Sequence, residues 1–544
     1  MMKEKPGIRG IPLKDKLTIG SILLISLVGS LLIVYSTSWG PWVFSDSTEY
    51  LFSARNLIAG HGLGLYSPTG VFHPMVLHPP FYSLLLSLFG WMGIDLVAAA
   101  RWINVILFGS TILLMGLSIY AFTHSSWLAI ISSILVFSMP ALIDINSGAM
   151  SEPLFIFTGL ASISLILLFL RNNHRSVLLA AAFAASLSLF TRFVGLAFII
   201  AGITGLLVFS PRTWKKRITD SFIFGLVSSL PIIGWLAWLK FQSIILRSIQ
   251  PEINLGDRLT KFRLGVMEIF WSWLPFNSLL PPYSYNLAKN LLIISIFLTL
   301  ILLSLTVWKV HKNKLKIFNL NHGLFFVGMM GVYTIAYLII LTFSYVYTNP
   351  APDLNNRTLL PVQIAFLLGF FILSHFFIRA WSSIKWLTLI PILLAAGISI
   401  SYLDESLDIV SQYHQSGSGY TGRVWRASGT IQAIEQLPSN ISLISNDSAA
   451  LLFYTGRPAY DISELTNNQP LMSFPTYGDD PSDPAQIAFR ENGAGLVLFN
   501  SSRWQFQRLY GDQTTKRLDY FTRGLSLYAQ SWDGAIYFYN PTGK

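Results

Sequence analysis

Apolar stretches long enough to cross a bilayer recur along most of this chain, separated by short polar or basic connections. A hydrocarbon core takes roughly 20 helical residues per crossing, so the pattern predicts a polytopic α-helical membrane protein. Eleven spans follow, over 17–37, 96–121, 127–143, 152–170, 176–190, 193–209, 218–239, 287–308, 323–346, 358–378 and 386–402. A twelfth apolar run, Pro79–Met92, is too short to cross; Pro79-Pro80 and Gly93 bound it, which suits a helix lying at the interface. From Leu403 the pattern becomes that of a soluble α/β domain. There Ile441–Ser445, Gly495–Phe499 and Ala535–Tyr539 read as strands, and Ile431, Ile434 and Leu437 line one helix face. Asn446-Asp447-Ser448 offers an N-cap for a helix over Ala449–Tyr454 that Gly456 can end. The expected organisation is a membrane domain over 1–402, with large outer loops at 38–95 and 240–286, and an extracytoplasmic α/β domain over 403–544.

Composition supports this. Hydrophobic residues make up 53% of the chain and charged ones only 12%, far greasier than a soluble domain. The first apolar run follows Lys3, Lys5, Arg9, Lys14 and Lys16; it is too long for a leader core and lacks a small-x-small cleavage site, so it reads as a retained anchor. There is no cysteine, which excludes disulfides and thiolate metal sites. The net charge of +11 raises nucleic acid as a partner. It is set aside because the basic residues gather in short inter-helix loops, as the positive-inside rule expects.

Those loops fix an orientation. With a cytoplasmic N-terminus, one alternating set of loops holds His124, then Arg171 and Arg175, then Arg212, Lys215, Lys216 and Arg217. The same set holds Lys309, Lys312, Lys314 and Lys316, and finally Arg379 and Lys385. An odd number of spans puts the C-terminal domain outside, in the plasma or inner membrane of the cell.

The opposite face collects the acids and a few lone cations. Asp46 stands at or before a helix start, with Glu49 and Tyr50 in its first turns, where the helix dipole stabilises a carboxylate. An ordinary cap explains Asp46 as well as a reactive role does. His73-Pro74 and His78-Pro79-Pro80-Phe81-Tyr82 end the same loop, and His78 would sit near a helix N-terminus that favours phosphate. A backbone-bonded loop histidine is equally consistent. A divalent metal held by His73, His78 and a carboxylate remains an option, although no HxxxH spacing supports it. Asp144 and Ser151-Glu152-Pro153 fall in the next outer loop, where Glu152 is either a favourable N-terminal acid or a reacting group. Arg192, in the turn between two spans, and Arg357, at the outer end of the tenth, both break the positive-inside trend. For Arg192 a salt bridge to Glu152 or Asp46 and an anion clamp are compatible readings, and two guanidiniums on one face suit bidentate phosphate recognition. Arg258, Lys261 and Arg263, followed by Trp271 and Trp273, form a basic amphipathic stretch for the headgroup layer. It holds either a carrier head group or plain anionic lipid.

These residues resemble the GT-C superfamily of polytopic glycosyltransferases, in particular bacterial relatives of protein O-mannosyltransferases and aminoarabinose lipid A transferases. The motifs are Asp46 with Tyr50 and Ala54, the His78-to-Tyr82 segment, Arg101 opening the second span, and Ser151-Glu152-Pro153. Thr191-Arg192 with Gly195, Asn356-Arg357 with Pro361, and the α/β tail complete the likeness. The resemblance implies sugar transfer from a polyprenyl-phosphate donor to a glycan, lipid or protein acceptor outside the cytosol. It gives Asp46 the role of base or acceptor-orienting acid, with Glu49 and Glu152 as further catalytic candidates. Donor phosphate would meet His78, Arg192 and Arg357; Tyr50, Tyr82, Arg101, Asp144, Arg258 and Lys261 would contact substrate. Ser47 stands where the family often has a second acid, and His78 where some members carry Lys.

Rival readings are a transporter or lipid flippase and a lipid-linked oligosaccharide polymerase. A transporter calls for polar groups at the bilayer midplane and paired repeats. Here the polar residues cluster at outer helix ends, and no fixed repeat is evident.

Overall fold

The structure, a computed structural model, describes residues 12–242, 255–312, 321–348, 351–381, 385–465, 483–500, 503, 507 and 511–539. The chain divides into two compact units. The first comprises residues 1–38, 76–82 and 100–414, and the second 39–75, 83–99 and 415–544. The boundary expected at 402 lies inside a helix that runs on to Ser416.

Every expected span falls on apolar helix, and all but the third on a single one. In chain order, α1 is Leu13–Ser36, α2 Ser45–Ile58, α3 Phe81–Trp91, α4 Leu96–Thr123, α5 Ser126–Ser138, α6 Pro140–Asn146 and α7 Glu152–Asn172. There follow α8 Arg175–Thr191, α9 Leu196–Phe209, α10 Trp214–Phe241, α11 Leu255–Ser272, α12 Tyr285–Lys312, α13 Asn321–Tyr347, α14 Asn356–Trp381 and α15 Leu389–Ser416. Among the described residues, eight helices are long and apolar enough to cross a membrane. The third expected span is instead the pair α5 and α6, bent by 60°. Pro140 lacks the N–H an unbroken helix needs, and Met139 before it is extended at φ −69°, ψ 117°. The fifth and sixth spans are shorter helices, interrupted where Arg192 adopts an extended φ −147°, ψ 134°. The expected interfacial helix is α3, as apolar as a span but too short for one.

Within the first unit the helices bury a continuous apolar core, and small residues let backbones approach. Gly159 on α7 shows the constraint: a Cβ there would come within 2.0 Å of the Phe198 ring. That ring is stacked on Tyr333 at 4.1 Å and cannot easily move. Arg212 and Arg217, in a basic loop, are tied down. Arg212 pairs with Asp220 at 2.9 Å, and Arg217 donates to the carbonyl of Leu207 at the end of α9.

The second unit holds a small hairpin, β1 Gly64–Tyr66 with β2 Phe72–Pro74, and a five-stranded mixed sheet. The sheet comprises β3 Leu443–Ser445, β4 Tyr460–Asp461, β5 Gly495–Phe499, β6 Leu525–Ser531 and β7 Gly534–Tyr539, in the order β4-β3-β5-β7-β6. The three expected strands are its centre; β3 pairs parallel with β4 and β5, and β7 antiparallel with β5 and β6. The capping expectation also holds: Asp447 accepts from the Ala450 N–H and Gly456 ends the helix Ser448–Thr455 at φ 68°.

Asp533, in the turn between β6 and β7, anchors the start of the helix Gly429–Glu435. Hydroxyls of Ser428 and Ser531 donate to its carboxylate, and Thr430 adds its N–H at 3.2 Å and its hydroxyl at 3.0 Å. Burial pushes this carboxyl up, but the four hydrogen bonds outweigh it and hold Asp533 below its ordinary value.

Two outcomes are expected. Asp533 binds its proton less readily folded than unfolded, where its value is about 3.9. Its contribution is therefore complete above about pH 4 and drains away as pH falls through the folded value. Denaturant unfolding of wild type should weaken on going from pH 5 to pH 3, with Asp533→Asn less stable at pH 7 and less sensitive to acid. Gly159→Ala should lower thermal stability in detergent by roughly 1–3 kcal/mol through overpacking against Phe198; an unchanged melting temperature would show that the ring yields.

Candidate functional site

A buried carboxylate between two arginines organises one set of helix ends in the first unit. Glu152 opens α7 with Pro153 behind it, so its charge faces the positive end of the helix dipole. It is 3% exposed. Arg192 reaches it from the break between α8 and α9, with Nη1 2.9 Å from Oε1. Arg357 reaches it from the first turn of α14, with Nε 3.6 Å from the same oxygen. The Arg192 contact is off the line of a good hydrogen bond, so it is chiefly an ion pair; Oε2 has no protein donor among the described residues.

Local sequence explains the convergence. The extended Arg192 is possible because Gly195 lets the next turn fold back tightly: a Cβ there would lie 2.6 Å from the Leu189 backbone. The Asn355 side chain accepts the Thr358 N–H at 3.1 Å and so caps α14, placing Arg357 in its first turn. A cation at a helix N-terminus opposes the dipole, and Glu152 offsets that cost. Arg192 also donates to Ser151 Oγ at 3.3 Å, and Arg357 to Met150 Sδ at 3.8 Å.

One glutamate is thus shared by two arginines. The carboxylate is enclosed, whereas the side chains of Arg192 and Arg357 are 22% and 23% exposed. The group can therefore hold its own geometry and still present guanidinium N–H groups to an anion.

Tyr82, at the start of α3, is fully buried beside Glu152 and Asn104. Burial, and then the glutamate's charge, push its phenol well above the ordinary range, so it stays a protonated donor. Asn104 donates to the carbonyl of Gly148 at 2.5 Å and pins the loop that leads to Ser151. Tyr337 on α13 lies near Arg192 and Glu152 and donates to the Thr358 carbonyl. Sequence reasoning missed Asn104, Tyr337 and Met150. Asn104 carried a usable signal, a lone amide inside an apolar span three residues after Arg101. Met150 and Tyr337 carried none.

The remaining candidates are placed elsewhere or engaged differently. Asp46, Glu49 and Tyr50 lie in the first turns of α2, in the second unit; Tyr50 is buried, and the two acids are partly exposed. His78 is partly exposed in the first unit. Asp144, near the end of α6, accepts from the Tyr413 hydroxyl at 2.7 Å. Arg101 donates to Thr37 Oγ1 and the Val34 carbonyl, each at 2.9 Å, and so fastens α4 to the end of α1. Arg258 donates to the carbonyls of Tyr345 and Thr348, the negative end of α13. Lys261 forms an exposed ion pair with Asp257 at 2.8 Å, one helical turn away. Among the described residues, no group of three or more His, Asp or Glu side chains is arranged to hold a metal ion, so His73 and His78 have no assembled ligand set.

No protein-family model and no curated protein matches this sequence. Solved structures do match its fold. ArnT from Cupriavidus metallidurans in the apo state superposes with TM-score 0.53 at 14% identity, covering 96% of this chain and 98% of that one. The Archaeoglobus fulgidus oligosaccharyltransferase in the apo form gives 0.51 at 12%, covering 96% and 74%. AglB from the same organism, in complex with an inhibitory peptide and a dolichol-phosphate, gives 0.51 at 13%, covering 98% and 75%. This chain is an integral membrane protein with the GT-C fold.

The buried ion pairs generate a stability prediction. Removing Glu152 takes the shared carboxylate from both arginines, whereas removing one arginine leaves the other as its counter-ion. Glu152→Ala should cost roughly 3–5 kcal/mol, and Arg192→Ala clearly less, in thermal unfolding of the purified protein. Equal losses would contradict the central place given to the carboxylate.

Proposed function

We propose that this protein is a membrane glycosyltransferase. It moves a sugar from a polyprenyl-phosphate carrier to an acceptor hydroxyl on the extracytoplasmic face of the membrane. The observation that carries the reading is the Glu152, Arg192 and Arg357 cluster, in which the carboxylate is enclosed and both guanidiniums stay partly exposed at helix ends. A fold shared with an oligosaccharyltransferase seen with a dolichol-phosphate supports it. The basic loops facing the other way support the orientation, with a cytoplasmic N-terminus.

In this reading Arg192 and Arg357, assisted by His78, hold the donor phosphate and stabilise the charge that grows on it as the glycosidic bond breaks. Glu152 is a positioning residue: with both arginines against it, its work is to hold them, not to accept the acceptor's proton. Asp46 is the base. It takes the hydroxyl proton as the acceptor oxygen bonds to the anomeric carbon, and the carbon–oxygen electron pair leaves with the lipid phosphate. The displacement inverts the anomeric centre. Glu49 and Tyr50, on the same helical turn, orient the acceptor. Tyr82, fixed as a donor beside Glu152, supports the phosphate site.

Purified protein incubated with a panel of polyprenyl-phosphate sugars should release the sugar from at least one of them. With that donor, Asp46→Asn should reduce turnover by at least 100-fold, a loss on the scale of general-base catalysis, while the protein stays folded. Undiminished turnover removes Asp46 as the base. Arg192→Ala or Arg357→Ala should weaken donor binding more than acceptor binding, and equal loss of both would defeat the phosphate assignment.

A further inference from the structure

We infer that residues 417–426, together with Asp447, form a clamp that positions Asp46, with Tyr420 and Thr421 as its positioning residues; the inference deepens the reading of Asp46 as base and rests on it.

Asp46 is the second residue of α2, whose N-cap, Phe44, makes no side-chain cap hydrogen bond. The start of this helix is therefore not fixed by the usual local device. It is held from the far end of the sequence. The Tyr420 N–H donates to the Val43 carbonyl at 2.9 Å, and Thr421 Oγ1 to the Pro41 carbonyl at 2.8 Å. Arg426 donates to the carbonyls of Thr421 at 2.8 Å and Trp39 at 2.6 Å. Three carbonyls of the six-residue segment before α2 are thus bonded to one short stretch.

The stretch is shaped for the task. Gly419 has φ +58°, and a Cβ there would lie 2.4 Å from the Val43 carbonyl oxygen, so only glycine permits the approach. The Tyr420 ring packs edge-on to Phe44 and Trp425. Its hydroxyl donates to Asp447 Oδ1 at 2.6 Å. The same oxygen accepts the Ala450 N–H at 3.2 Å and caps the helix Ser448–Thr455. That helix packs against α2 itself. One carboxylate therefore ties together both holds on α2: the hydrogen bonds at its start and the helix along its side. A carboxylate acting as a base needs placement to within a fraction of an ångström, and this arrangement supplies it.

The test uses the full-length protein in detergent, with Tyr420→Phe and Thr421→Val. In amide hydrogen exchange, residues 48–52 should exchange at least tenfold faster in both variants, while β3, β5 and β7 keep wild-type rates. With the polyprenyl-phosphate sugar that wild type turns over, kcat should fall at least tenfold and donor KM stay within twofold. Asp447→Asn keeps an oxygen acceptor for Tyr420 and should stay within threefold of wild type; Asp447→Ala should match Tyr420→Phe. Wild-type exchange at 48–52, or equal loosening of the sheet, would overturn the clamp. Should Asp46→Asn retain turnover, the base assignment fails on its own, and the exchange result still decides whether the clamp exists.

Discussion

One end of the first unit depends on a carboxylate that cannot be left alone. Glu152 is almost wholly enclosed, and an isolated buried charge costs several kcal/mol. Three features meet that cost: the dipole of α7, the Arg192 ion pair at 2.9 Å and the Arg357 ion pair at 3.6 Å. Each requires a separate break in the apolar pattern to be correctly placed. Arg192 needs the extended link between α8 and α9, and Arg357 needs the Asn355 cap at the start of α14. Breaks in helices of this kind are tolerated only where freed polar groups find partners, and here they become the partners.

The result is a small electrostatic device with unequal exposure. The anion is inside, and the cations keep part of their surface outward. Guanidiniums held by an internal counter-ion are pre-ordered, which lowers the reordering cost of the phosphate binding proposed for them. The second unit uses a different economy, in which backbone carbonyls before α2 are bound by a glycine-rich turn hundreds of residues later. In both, a charged side chain is placed by parts of the chain distant in sequence.

Much of this was legible in the residues. Each apolar stretch became a helix because length and hydropathy alone decide what can sit in hydrocarbon. The central strands and the Asp447-to-Gly456 helix were legible because caps and apolar runs act locally. The hairpin β1–β2, the two-residue β4 and the edge strand β6 were not foreseen. In β6 Ser526, Tyr528 and Gln530 are exposed and Leu525, Ala529 and Ser531 half-buried, but Leu527 breaks the alternation at a register shift, and no position is fully buried. The bend at Pro140 was foreseeable from proline geometry, yet the continuous hydropathy of 127–143 concealed it.

The sequence by itself determined which segments enter the membrane and which residues break the charge pattern, since both follow from transfer free energies summed over neighbouring residues. It marked Glu152, Arg192 and Arg357 as out of place and offered Glu152 or Asp46 as a partner for Arg192, without choosing between them or joining Arg357 to the pair. Only the tertiary structure decided that, and it also turned Arg101, Asp144 and Arg258 toward Thr37, Tyr413 and the end of α13. The physical reason is range. Hydrophobic periodicity is written within one helix, whereas an ion pair forms between residues that helix packing brings close, here 40 and 205 positions apart, as Glu152 with Arg192 and Glu152 with Arg357 show.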